Sequence, residues 1–97
     1  MVGIDTELEA AEQASGALSR SPANPTIVQT LRKAYITAKR ANSNPSGGLA
    51  LNGARHAVRI TFPDLIRAIE NGRPLREKVN SAKYAVEVWI EVLRATR

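Results

Sequence analysis

Apolar positions in the last quarter of the chain fall at Leu75, Val79, Ala82, Val86, Trp89 and Leu93. Steps of four and three keep one face of a helix apolar. The spacing predicts a helix over about 74–95, roughly 33 Å long. Phe62, Leu65, Ile66 and Ile69 predict a short helix before it, opening at Thr61 or Phe62 with Pro63 and Asp64 in its first turn and closing at Asn71-Gly72. Leu49 to Ile60 reads as a further helix, weakened by Gly53 inside it. Ile27, Leu31, Ala34, Tyr35 and Ala38 predict a helix that runs to about Ala41, with Asn24 as N-cap and Pro25 at the first helical position.

The first predicted helix, Thr6 to about Leu18, is different. Thr6-Glu7-Leu8-Glu9 has the spacing of a capping box, and Glu7, Glu9 and Glu12 suit the positive start of a helix. Its apolar stripe is thin: Leu8, Ala11, Ser15 and Leu18. A helix with so little to bury packs weakly, so this one is expected to be mobile. Residues 19–24 read as a turn and 42–48 as a flexible loop. No apolar/polar alternation predicts a strand.

The expected fold is therefore all-α: a small bundle of four to five helices with a long C-terminal helix. It forms a single domain over residues 1–97, with an acidic, mobile N-terminal helix (1–20) and a basic helical core (24–97). The seam of the last helix must be covered. The other helices of the chain are one cover. The other is the same helix of a second chain, a homo-oligomer built through Leu75, Val79, Val86, Trp89 and Leu93. Ile90 and Val92 widen the face beyond a two-stranded seam, which favours a bundle core or a core continuing into a dimer.

Charge changes the picture more than composition does. From Gln13 to Pro63 there is no acidic residue, yet Arg20, Arg32, Lys33, Lys39, Arg40, Arg55 and Arg59 all fall there. The chain carries 14 basic and 9 acidic residues, a net +5. Up to Ser19 the balance is 0 − 4 = −4, and beyond it 14 − 5 = +9. On a helical wheel, Arg32, Lys33, Lys39 and Arg40 share one solvent-facing arc, with Gln29 among them and Ile36 inside it. Asn52, Arg55, His56 and Arg59 form a second stripe by the same test. Side by side, these faces would suit a polyanion, because Arg, Lys and small polar side chains hold phosphates. A charged stripe opposite an apolar one is common to any solvated helix, but surface helices ordinarily mix signs. The acidic first helix is expected to fold back over the basic face, or to reach the basic face of a second chain, and mask it.

Other chemistry is sparse. The chain has no cysteine, so it has no disulfide, thiolate nucleophile or Cys metal site, which fits a cytoplasmic setting. No apolar run is long enough to span a membrane, and the N-terminus lacks the order of a signal peptide. His56 is the single histidine. No nucleophile elbow, phosphate loop or HExxH is present, and neither a metal site nor a cofactor is expected. With Tyr35, Phe62, Tyr84 and Trp89 as the only aromatics, a stacking platform for single strands is not expected. Arg67-Ala-Ile-Glu-Asn-Gly-Arg73 resembles the end of the recognition helix in phage-repressor-type helix-turn-helix domains. The resemblance covers seven residues. The upstream turn and alanine positions fall on Thr61 and His56, which do not fit, so no family is assigned.

The expected function is non-enzymatic: a nucleic-acid-binding accessory or regulatory protein. It would contact duplex phosphates through Arg32, Lys33, Lys39, Arg40, Asn52, Arg55 and Arg59. The alternative is a protein-interaction module (adaptor, assembly or inhibitor protein) that sets the same basic face against an acidic partner surface.

Overall fold

The computed structural model describes residues 3–20, 24–42 and 48–96. Among these, four α-helices follow one another: α1 Ile4–Arg20, α2 Val28–Asn42, α3 Gly48–Glu70 and α4 Arg76–Thr96. No strand occurs among the described residues. α1 packs on α2 and α4, α2 on α3, and α3 on α4. That is a four-helix ring with α1 opposite α3 and α2 opposite α4. Glu7 near the start of α1 reaches Arg55 early in α3 and Trp89 late in α4. Arg32 early in α2 reaches Glu70 at the end of α3. Neighbouring helices are therefore antiparallel, as short connections require. The molecule measures 37 × 20 × 19 Å, and among the described residues no helix is long and apolar enough to cross a membrane.

The start of the second helix is as expected. Asn24 has extended backbone, and its side chain accepts from the Thr26 N–H at 3.0 Å. Pro25–Ile27 form one 3₁₀ turn that leads into α2. α3 ends in a paired Schellman closure: the Arg73 N–H donates to the Ala68 carbonyl and the Gly72 N–H to that of Ile69. Gly72 has φ +63, where a side chain would be strained.

Three expectations are corrected. The two predicted middle helices are one: α3 runs 23 residues through Pro63. Thr61 is not a cap; its hydroxyl donates to the Ala57 carbonyl one turn back. A turn at Thr61, which a helix-turn-helix needs, is thus absent. The N-terminal helix starts at Ile4, so Thr6 lies inside it and caps nothing. That helix is also not a loose mask over the basic face. Leu8, Ala10, Ala11, Ala14 and Leu18 are all buried between α2 and α4. Small alanines let the helices approach closely, which makes up for the thinness of the stripe.

The seam of α4 is filled within the chain. Val79, Ala82, Val86, Trp89 and Leu93 are buried in the one core, with Leu75 partly buried against it. The residues named for a dimer seam thus face the chain's own core, apart from Leu75, which stays partly exposed. The loop read at 42–48 and the turn read at 19–24 lie largely outside the described residues.

Candidate interaction surface

The predicted cationic stripe on α3 is interrupted, because Arg55 turns into the core. Arg55 is 2% exposed and Glu7 is fully buried. The guanidinium grips the carboxylate with two bonds, Nε to Oε2 and Nη2 to Oε1, both 2.7 Å. The Trp89 indole N–H donates to the same Oε2 at 2.7 Å. Arg55 Nη1 donates to Asn52 Oδ1 at 3.2 Å. A fork-on-carboxylate pair with a third donor satisfies most of what burial would otherwise leave unmet. It joins α1, α3 and α4 at one end of the bundle. Asn52 is half-buried and oriented by Arg55; Arg59 is half-buried, with its Nε shut away from solvent and without a hydrogen-bond partner among the described residues. His56 alone of that group is exposed.

The helix periodicity held a signal for this network. Leu51, Arg55, Val58, Phe62, Leu65 and Ile69 step by four and three along α3. Glu7, Ala11, Ala14 and Leu18 do the same on α1. In each seam the charged residue occupies a core position.

The stripe on α2 is real. Arg32, Lys33, Lys39 and Arg40 are exposed on its outer face with Gln29. Ile36 lies at their centre and is 44% exposed. Arg32 meets Glu70 at 2.9 Å, with both side chains about half exposed; such a pair contributes about 0–1 kcal/mol and yields readily to a better partner. Lys33 and Arg40 make no ion pair among the described residues. Between α2 and α3 lies a groove of about 380 Å³, lined by Tyr35, Ile36, Pro63 and Ile66 together with Arg32, Arg67 and Glu70. Arg67 is tethered to Asp64 at 2.7 Å within its own helix.

Elsewhere, Arg94 pairs with Glu12 at 3.0 Å across α4 and α1, and Lys78 with Asp64 at 3.9 Å. Among the described residues, no group of three or more His, Cys, Asp or Glu side chains is placed to hold a metal ion. Comparison of the chain with family models, with curated proteins and with solved structures returns no match.

Proposed function

We propose that this chain is a non-enzymatic protein-interaction module that docks an acidic protein surface on the outer face of α2. The observation that carries this reading is Ile36, exposed at the centre of four cations and beside an apolar groove. A phosphate backbone gives an exposed isoleucine nothing to bury against. A protein partner supplies both carboxylates for the rim and an apolar side chain for the centre, the usual anatomy of an interface. The loss of Arg55 to the core also removes one of the six cations expected to contact a duplex. Duplex nucleic acid stays as the second reading because the α2 arc contains no acid at all.

A titration against three probes separates them: an all-glutamate peptide, a peptide of equal charge with a large apolar residue at every third or fourth position, and a short DNA duplex. The apolar-bearing peptide should bind more tightly than the all-glutamate one. Ile36→Ala should weaken that binding by about tenfold, the equivalent of two buried methylenes, and leave the all-glutamate peptide unaffected. If the duplex binds best, with a log–log salt slope near about −4 and no response to Ile36→Ala, the nucleic-acid reading replaces this one.

A further inference from the structure

Two helices at opposite corners of the bundle carry faces of opposite sign, each centred on one exposed apolar side chain. At about 100° per residue, the arc within about 60° of Ile36 on α2 holds Arg32, Lys33, Lys39, Arg40 and Gln29, with no acid. The same arc about Tyr84 on α4 holds Glu77, Glu87 and Glu91 among small neutral residues and Val88, with no base. Tyr84 is 71% exposed, the aromatic counterpart of Ile36. None of the three glutamates makes an ion pair among the described residues. Carboxylates stand on both sides of Tyr84 along α4, as cations stand on both sides of Ile36 along α2.

We infer that the α2 face receives the α4 face of a second copy of this chain. Tyr84 of one copy enters the groove beside Ile36 of the next, while Glu87 and Glu91 meet Lys33 and Arg40. This rests on reading α2 as a surface for an acidic partner and names that partner. The groove suits a tyrosine: Tyr35, Pro63 and Ile66 give the ring an apolar seat, and the guanidinium groups of Arg32 and Arg67 in its lining favour an aromatic face. Because α2 and α4 lie across the diagonal of the bundle, the two faces point away from each other. Two copies cannot satisfy both faces at once, so the contact is heterologous and extends into a chain or a large ring. Each copy carries +5, and this self-repulsion is screened beyond about 8–10 Å near physiological salt, where the contact pairs still act.

Sedimentation of the full chain near 0.15 M salt, about the ionic strength at which the Debye length is 8 Å, tests this with two variants. One neutralises the α2 face (Lys33→Gln, Ile36→Ser, Arg40→Gln); the other neutralises the α4 face (Tyr84→Ser, Glu87→Gln, Glu91→Gln). All six positions are exposed, and thermal melts verify that both variants stay folded. The wild type should gain mass with concentration past that of a dimer. Each variant alone should be monomeric. An equimolar mixture should form a one-to-one pair that grows no further, because only one intact face of each kind remains. A wild type that stays monomeric overturns the inference, as does a mixture that fails to pair. If the wild type is monomeric while the apolar-bearing acidic peptide binds the α2 face, the second copy is the wrong partner and the acidic-surface reading stands; if neither binds, both fall.

Discussion

At the scale of single residues, the decisive group is the buried carboxylate of Glu7. It accepts three hydrogen bonds, two from Arg55 and one from Trp89. Two opposite charges in a core add little net stability over well-packed apolar side chains, but removing one of them strands the other. Glu7→Leu and Arg55→Met should each cost about 3–5 kcal/mol. The double variant should cost less than the two together, because no lone charge remains. Urea midpoints of the four proteins close that cycle; additive costs would show that the pair is not coupled. Trp89 acts through both its ring and its N–H. Trp89→Ala should lose about 3–5 kcal/mol. Trp89→Phe keeps an aromatic ring but leaves Glu7 short of a donor, and should lose about 1–3 kcal/mol. If the two variants melt together, the hydrogen bond rather than the ring sets the contribution of this position.

At the scale of elements, α3 shows both what was legible and what was not. Its end could be read from Asn71-Gly72, because a left-handed residue closes a helix locally; Gly72→Ala should cost about 1–2 kcal/mol for that reason. Its continuity could not, because Pro63 argues for a start. A proline inside a helix forfeits one N–H and crowds the carbonyl four residues back, here that of Arg59. The helix persists because Phe62, Leu65, Ile66 and Ile69 are buried on the same side as Leu51, Ala54 and Val58. Tertiary burial outweighs a local penalty. Splitting α3 at Pro63 hid the seam that places Arg55 inward, so a core arginine read as a surface one. On α2, where no breaker intervenes, the wheel placed Arg32, Lys33, Lys39 and Arg40 outward, as they are. Pro63→Ala should raise the melting temperature, with a gain of up to about 3 kcal/mol. It should also weaken docking in the groove that Pro63 helps to wall. A lower melting temperature would show that the proline ring contributes more by packing than it costs the backbone.

At the scale of the whole molecule, charge is sorted by face as well as along the chain. The basic face belongs to α2, while α1 exposes Asp5, Glu9 and Glu12 and sets Glu12 against Arg94 of α4. This arrangement bears on what the acidic N-terminal segment does. A charged flap could be removed without harm, and polyanions would then bind more tightly. α1 is instead packed between α2 and α4. Deleting residues 1–20 would strip Leu8, Ala10, Ala11, Ala14 and Leu18 from the core, and would leave the Arg55 charge and the Trp89 N–H without Glu7. Stranding one member of a buried ion pair alone costs about 3–5 kcal/mol, against a total stability of about 5–15 kcal/mol for a domain. The truncated chain should therefore lose its cooperative melt. By contrast, Glu9→Gln with Glu12→Gln alters only exposed side chains and should shift stability by no more than about 1 kcal/mol. Circular dichroism melts of the two proteins decide the role of α1. A truncated chain that still melts cooperatively would falsify its place in the core and restore the picture of a removable acidic mask.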